Sequence, residues 1–221
     1  KSSDFTRCFH GMAELDETGE ATLAFLASGI EGLKVRITVG ADVESDALRL
    51  LDTYEARVRR TLGDIVFGVD EESMETAVLA RLTGLGKTLA VAESLTGGLI
   101  AARLVDVPGA SAAFLGGVVA YDGEVKRNVL GVEEIPVISL ECAEQMATGV
   151  RRLLGSSIGL GVTGVAGPTT QEGKPVGTVC IAVDIDGDVS SVDMRLPGRR
   201  RQVREFACIT ALNLIRVRLE S

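Results

Sequence analysis

The sequence predicts a three-layer α/β domain with a mixed β-sheet, preceded by a smaller α+β unit. Short apolar strands alternate with helical patterns from Leu89 onward, and two late strands join through an Asp186-Gly187 turn, a strong signal for an antiparallel hairpin. Apolar residues make up 46% of the 221 positions and charged residues 24%, as expected for a globular protein with a substantial core. We place the two units at residues 1–72 and 73–221.

The smaller unit is predicted to contain a β-α-β arrangement. Residues Leu33–Val39 alternate apolar and polar side chains, which is typical of a strand buried on one face. Apolar residues then recur every three or four positions over Ser45–Leu62, which predicts a helix, and Gly63 is a typical residue to end it. Ile65–Phe67 is predicted to be a second short strand. A weak periodicity also favours a helix over Glu20–Ala27.

The larger domain is predicted to alternate helices and strands along the chain. Its first helix, Ser73–Leu82, opens on a Ser-x-x-Thr capping pattern. The last helix spans Arg201–Leu219. Between these two, we predict helices over Leu99–Val105 and Leu140–Leu153, and strands over Thr88–Ala92, Phe114–Tyr121, Ser157–Val162, Val176–Asp184 and Val189–Arg195.

The composition argues against several classes of function. A formal net charge of −8 disfavours nucleic-acid binding, which rests on clustered Lys and Arg. No apolar run is long enough to span a membrane and no signal-peptide pattern is present, so we expect a cytoplasmic protein. A single histidine, His10, and cysteines without a CxxC pair provide no metal-site spacing, so we expect no metal and no cofactor. The cysteines are expected to be free buried thiols.

The segment Ala92–Gly98 follows a predicted strand directly and reads Ala-Glu-Ser-Leu-Thr-Gly-Gly. Ser94 would therefore lie at the carboxyl edge of the sheet, where the backbone N–H groups of the next helix can hold a developing oxyanion or a phosphate. Gly97 and Gly98 allow the backbone to approach a ligand closely. The alternative is that Ser94 or Thr96 only caps the helix.

A candidate base follows another predicted strand. The chain has no histidine in a suitable region, and a lysine can activate a serine if burial or a neighbouring cation lowers its pKa. Lys126 follows a strand end, as Ser94 does, so both side chains could meet at one edge of the sheet. Tyr121 could stack on an aromatic base or orient the serine. The alternatives are a solvated surface lysine and a tyrosine that only packs.

Two further segments complete the candidate site. Gly161–Pro168 is a Gly-rich loop after a strand, where ligands dock in open α/β sheets, and Thr163 supplies a hydroxyl within it. Gly198–Arg204 opens the last helix with Arg200 and Arg204 on one face. Because arginines at a helix N-terminus oppose the helix dipole, an anion such as a 5′-phosphate would relieve the conflict. The alternative is a basic surface patch.

Five ordered motifs within Leu89–Leu219 resemble the C-terminal domain of the CinA (competence/damage-inducible) proteins, also found alone as PncC, the nicotinamide-nucleotide amidase. The family pattern runs close to A-E-S-x-T-G-G, V-x-Y-x-x-x-x-K, x-G-[IV]-A-G-P, K-P-V-G-T-V and G-x-R-x-x-[VI]-R. In this chain the corresponding segments are Ala92–Gly98, Val119–Lys126, Thr163–Pro168, Lys174–Val179 and Gly198–Arg204. The fold implied is the three-layer α/β/α domain of that family, with a mixed sheet.

The resemblance implies a metal-independent amidohydrolase that converts nicotinamide mononucleotide (NMN) to nicotinic acid mononucleotide and ammonia, in pyridine nucleotide recycling. It implies that Ser94 is the nucleophile and Lys126 its base, a Ser–Lys dyad, with Tyr121 as a third catalytic residue. Arg204 would meet the phosphate or support the lowered pKa of Lys126. A homodimer is also implied. The implied substrate-binding residues are Thr96, Gly97, Gly98, Thr163, Gly164, Ala166, Arg200 and Arg204.

The first unit resembles the KH-like linker module that precedes this domain in CinA proteins, although the GxxG loop with which KH domains clamp nucleic acid is not evident. The resemblance also implies that the larger N-terminal domain of the family, which resembles molybdopterin-binding proteins and hydrolyses ADP-ribose, is absent from this chain.

The chain departs from the family pattern at three places. Leu95 stands where Cys is frequent, Gly123 stands where Asn is frequent, and the segment Gly131–Ser139 is several residues shorter than usual. That segment could shape one wall of the site, so its length bears on substrate fit. The alternative function is a catalytically silent nucleotide-binding or regulatory module of a CinA-like protein.

Overall fold

The structure is a computed structural model that describes residues 21–27, 31, 33–70 and 72–220. The chain divides into two compact units, Lys1–Val69 and Asp70–Ser221. Cys8 and His10 lie outside the described residues. None of the described helices is long and apolar enough to cross a membrane.

The described residues of the first unit have the order β-β-α, so the β-α-β order predicted over residues 33–67 is wrong. Strand β1 (Ala21–Ala27) pairs antiparallel with β2 (Leu33–Val39) along its whole length. The helix predicted over Glu20–Ala27 is therefore a strand in its described part, because cross-strand hydrogen bonds outweigh a weak helical periodicity.

Helix α1 (Glu44–Leu62) follows and packs on this hairpin, with Tyr54 and Val58 buried at the centre of a small apolar cluster. Gly63 ends the helix with a positive φ of 56°, as predicted. A 3₁₀ turn then occupies Gly63–Ile65 and the chain continues without a strand through Phe67, so the predicted strand at Ile65–Phe67 is wrong. Three residues without a pairing strand cannot satisfy their backbone groups as a sheet.

The second unit is built on a five-stranded mixed sheet. Its strands are β3 (Leu89–Glu93), β4 (Phe114–Val119), β5 (Ile158–Gly164), β6 (Thr178–Ile185) and β7 (Asp188–Arg195). Their order in the sheet is β4-β3-β5-β6-β7. Strand β3 lies between β4 and β5 and pairs in parallel with both, whereas β6 lies between β5 and β7 and pairs antiparallel with both. The hairpin predicted at Asp186-Gly187 joins β6 to β7.

Helices cover both faces of this sheet, which confirms the three-layer prediction. The helices are α2 (Met74–Gly84), α3 (Leu99–Val105), α4 (Gly123–Leu130), α5 (Leu140–Leu154) and α6 (Arg200–Glu220). Helices α4 and α5 form one layer, and α2, α3 and α6 pack together as the other. The predicted Ser-x-x-Thr cap is present at the start of α2, with the Ser73 hydroxyl accepting from the Thr76 N–H at 3.2 Å.

Glycines in β5 let α5 lie close to the sheet. A Cβ atom at Gly159 or Gly161 would overlap the carbonyl oxygens of Ala147 and Ala143 on the helix. Since only glycine fits this approach, α5 and β5 are locked in one position. Thr163 lies near the end of that strand, and the Gly-rich loop follows the strand directly.

Candidate functional site

Three neighbouring parallel strands end at the same edge of the sheet. Glu93, the last residue of β3, lies opposite Val119 on β4 and Val162 on β5. The chain segments that leave these strands begin at Ser94, Ala120 and Val165. The carboxyl ends of parallel strands are where open α/β sheets bind ligands, and the shared direction of these three strands brings the sequence motifs together there.

Ser94 is fixed by β5 and by a tight turn. Its N–H donates to the Val162 carbonyl at 2.9 Å, and its own carbonyl accepts from the Gly97 N–H at 3.1 Å. Gly97 and Gly98 have φ values of 61° and 90°, a region that favours glycine, so the turn depends on them. The hydroxyl of Ser94 is thereby held at the edge of the sheet with 8% of the residue exposed.

Lys126 lies in a helix that the sequence analysis did not predict, α4. Asp122 caps this helix by accepting from the Glu124 N–H at 2.8 Å. The Lys126 side chain turns inward and is 2% exposed, so the interpretation as a solvated surface lysine is wrong. Its Nζ donates to Ser94 Oγ at 3.1 Å, to the Ala120 carbonyl at 2.7 Å and to the Tyr121 carbonyl at 3.4 Å.

Burial lowers the pKa of Lys126, because removal from water disfavours the charged ammonium form. Cys142, Asp122 and Glu172 act in the opposite direction but are outweighed. The lysine is thus a stronger candidate for a neutral amine than an exposed lysine would be. A neutral amine next to a hydroxyl can accept its proton.

Glu93 caps helix α3, a role that the sequence analysis missed. One carboxylate oxygen accepts from the N–H groups of Gly98 at 3.0 Å and Ile100 at 3.1 Å, and the other accepts from Ala101 at 2.8 Å. The helix start that was expected to hold an oxyanion or a phosphate is therefore occupied by a side chain of the protein itself. The sequence signal was a glutamate at a strand end just before a Gly-Gly turn.

Other donors remain free beside the serine. In the described part of the chain, the N–H groups of Leu95 and Thr96 have no hydrogen-bond partner, and the buried Thr96 hydroxyl also lacks one. Thr96 is fully buried. Unsatisfied buried polar groups next to a nucleophile are available to a ligand.

The two arginines of α6 bind the loops of the site. Arg204 donates through Nε to the Leu95 carbonyl at 3.0 Å and through Nη2 to the Thr96 carbonyl at 2.7 Å. Arg200 donates through Nη1 to the Gly167 carbonyl at 2.6 Å and through Nη2 to the hydroxyl of Tyr121 at 2.8 Å. The oxygens that face these guanidinium groups are thus carbonyls and a phenol. Arg204 is only partly exposed, unlike a residue of a surface patch, whereas Arg200 is exposed, as that alternative expects.

Tyr121 is 61% exposed, so it is not the half-buried packing residue of the alternative interpretation. Its carbonyl faces Lys126 and its hydroxyl faces Arg200. The ring therefore stands at the rim of the site, open to solvent.

The residues at the end of β5 and in the loop after it are mostly buried and packed against other parts of the fold. Thr163, expected to contact substrate, is 1% exposed, and its hydroxyl donates to the Val137 carbonyl at 2.7 Å. A side chain at Gly164 would overlap the Thr178 carbonyl, and Ala166 is buried. The Thr163 hydroxyl, which was expected to contact substrate, is therefore engaged within the fold.

The fold and the site define a three-layer α/β protein with a serine and a buried lysine paired at the carboxyl edge of a mixed sheet. The family model of the CinA C-terminal domain matches residues 71–219. The chain belongs to the CinA family, which includes amidohydrolases.

Relatives support this membership along most of the chain. A CinA-like protein of Frankia casuarinae is 48% identical over 208 residues, which cover 91% of this chain and 48% of the relative. A putative competence-damage inducible protein of Desulforamulus reducens is 44% identical over 202 residues, 89% of this chain and 49% of the relative. The chain therefore spans about half the length of the curated relatives it matches.

Solved structures share the fold. A CinA-superfamily protein of Klebsiella pneumoniae aligns with a TM-score of 0.65 at 34% identity, over 66% of this chain and 96% of that one. A competence/damage-inducible protein of Agrobacterium tumefaciens aligns with a TM-score of 0.64 at 34% identity, over 71% of this chain and 99% of that one.

Proposed function

We propose that the second unit is an amidohydrolase that cleaves the carboxamide of NMN, producing nicotinic acid mononucleotide and ammonia. The observation that carries the proposal is the 3.1 Å distance between Lys126 Nζ and Ser94 Oγ, with both residues buried. Membership of a family that includes amidohydrolases supports it.

In the first step, the neutral amine of Lys126 accepts the hydroxyl proton of Ser94 while Oγ attacks the carboxamide carbon. The carbon–oxygen bond forms and the carbonyl electrons move to oxygen, which gives a tetrahedral oxyanion. The free N–H groups of Leu95 and Thr96 follow the nucleophile directly and are the donors available to this oxyanion. The lowered pKa of Lys126 favours the neutral amine that this step needs.

In the second step, the ammonium of Lys126 protonates the departing nitrogen. The carbon–nitrogen bond breaks, ammonia leaves, and an ester joins the acyl group to Ser94. A water molecule then attacks the ester carbon while Lys126 accepts its proton. The ester bond breaks, Ser94 recovers a proton from Lys126, and the carboxylic acid product gives its proton to the solvent and is released as the carboxylate.

Recognition of the substrate is assigned to the rim. The exposed ring of Tyr121 is placed to stack on the cationic pyridinium, an interaction that aromatic faces favour. Arg200 is exposed and is the candidate contact for the phosphate, which would compete with the Gly167 carbonyl that it now binds, whereas Arg204 is engaged by the carbonyls of Leu95 and Thr96. Gly97 and Gly98 carry no side chains, so a ligand can approach the turn closely even though both N–H groups are hydrogen-bonded within the protein.

The proposal is tested by measuring ammonia release from NMN. We expect turnover by the wild-type protein and a loss of at least about a thousandfold in Ser94→Ala and Lys126→Met. Ser111→Ala, at an exposed serine, and Lys34→Met, at a lysine with half of its side chain exposed, are matched controls that should keep full activity.

One result would contradict the proposed mechanism and another the proposed amidohydrolase activity. Ammonia release that persists in Ser94→Ala would remove the serine from the chemistry. A wild-type protein that NMN stabilises against heat without any turnover would favour the regulatory binding module instead.

A further inference from the structure

The 131–139 segment (Gly131–Ser139) is tied to two side chains from distant parts of the sequence. Glu172 Oε1 accepts from the Val137 N–H at 3.2 Å, and Glu172 Oε2 accepts from the Ile138 N–H at 3.0 Å. On the other side, the Thr163 hydroxyl donates to the Val137 carbonyl at 2.7 Å. Both polar groups of Val137 are therefore held by side chains, and a carboxylate that accepts two N–H bonds makes charge-assisted contacts.

The same segment begins at the helix of the candidate base. The Val132 N–H donates to the Lys126 carbonyl at 3.2 Å. Val132 is buried in the apolar cluster that also contains Ala120, and Ile135 and Val137 pack partly against that cluster. One end of the segment is thus fixed beside Lys126, and the other end is fixed by Glu172 and Thr163.

Glu172 lies in a turn, and its backbone conformation there is unfavourable for a glutamate. Gln171 and Lys174 pair across this turn, with the Lys174 N–H donating to the Gln171 carbonyl at 2.8 Å. Glu172 has a φ of 49°, in the left-handed region, where glycine or asparagine is more favourable than glutamate. The turn itself does not require a glutamate, whereas the two N–H groups of the 131–139 segment are bound by its carboxylate.

We propose that Glu172 is a positioning residue that holds the 131–139 segment as a wall of the substrate site next to Lys126. This role rests on the amidohydrolase function proposed above. The same contacts hold the shortened segment in position, because the Glu172 carboxylate binds the N–H groups of Val137 and Ile138.

The charge of Glu172 also affects the pKa of Lys126, the proposed base. Burial has the largest effect on the pKa of Lys126 and lowers it, whereas Cys142 on α5, Asp122 at the N-cap of α4 and, with the smallest effect of the three, Glu172 raise it. Loss of this charge should therefore lower the pKa of Lys126 and extend activity to lower pH, an effect that a purely structural contact would not produce.

The experiment compares Glu172→Gly, Glu172→Gln and the wild-type protein. Glycine removes both contacts while suiting the left-handed backbone, so the turn should survive. Glutamine removes the charge and keeps one acceptor oxygen. Glu134→Gln is the matched control, because it removes an exposed charge from the 131–139 segment itself.

The first readout is amide hydrogen exchange at Val137 and Ile138, which needs no activity. We expect exchange to be about tenfold faster or more in Glu172→Gly, and unchanged in Glu134→Gln. The second readout is steady-state ammonia release. We expect KM for NMN to rise about tenfold or more in Glu172→Gly with a small change in kcat, and the acid limb of the pH profile to move to lower pH in both Glu172 variants.

Each outcome decides one part of the inference. Unchanged exchange at Val137 and Ile138 would overturn the contact as a support of the segment. Faster exchange with KM and the acid limb unchanged would overturn the positioning role. A wild-type protein that releases no ammonia would overturn the proposed function and this role with it, and the exchange result would show separately whether Glu172 holds the segment.

Discussion

Arg204 Nη2 donates to the carbonyl oxygen of Thr96 at 2.7 Å, two residues after the candidate nucleophile. The same guanidinium binds the Leu95 carbonyl through Nε. A planar group with several fixed donors can hold two consecutive carbonyls, which a lysine ammonium does less well. Arg204 therefore fixes the turn whose free N–H groups, those of Leu95 and Thr96, follow Ser94.

Replacement of Arg204 by lysine should lower kcat for ammonia release by about tenfold or more, because the turn that carries the nucleophile loses its fixed geometry. Steady-state kinetics with NMN measure the effect. Arg201→Lys is the control, since the Arg201 side chain is 89% exposed on the same helix. A rise in KM at unchanged kcat would instead make Arg204 a substrate-phosphate contact.

Replacement of Glu93 by glutamine should lower the free energy of unfolding by roughly 1–3 kcal/mol, because three N–H groups lose a charged acceptor in a buried position. Urea denaturation measures the change. Glu124→Gln, at an exposed glutamate on α4, should have little effect. Equal stability of Glu93→Gln and the wild type would show that the carboxylate is not needed as a helix cap.

Replacement of Gly161 by alanine should destabilise the fold by roughly 1–3 kcal/mol or more, since the added Cβ would overlap the Ala143 carbonyl and push α5 off the sheet. Thermal unfolding measures the effect. Gly84→Ala is the matched control, because nothing lies within 4 Å of a Cβ at that position. A melting temperature as high as that of the wild type would contradict the close packing described for β5.

Periodicity and turn chemistry were sufficient for most of the second unit. The helix over Leu99–Val105 begins and ends where it was predicted, and the Asp186-Gly187 hairpin is present. Three motifs were placed at strand ends, and parallel pairing of their strands brings them together. Since the direction of neighbouring strands follows from alternating strands and helices, the meeting of Ser94 and Lys126 could be predicted.

Other features depended on partners that are remote in sequence. Residues Ala21–Ala27 form a strand because β2 pairs with them, and the periodicity of these residues alone does not indicate that pairing. Helix α4 is only eight residues long. Asp122 caps its first turn, and its residue Lys126 is buried. The contacts of Glu172 with Val137 and Ile138 cross more than thirty positions, so no local pattern could indicate them.

Activation of Ser94 by a neutral Lys126 amine is the central step of the proposed mechanism, and the pH dependence of kcat/KM for NMN tests it most directly. Activity should rise as pH increases through the pKa of Lys126, which burial holds below the usual range of lysine. Asp122→Asn removes a charge that raises this pKa and retains an oxygen to cap α4, so its acid limb should move to lower pH.

Glu134→Gln should leave the limb in place. An acid limb at the same pH in Asp122→Asn and the wild type, or a rate that does not depend on pH across this range, would contradict the role assigned to Lys126.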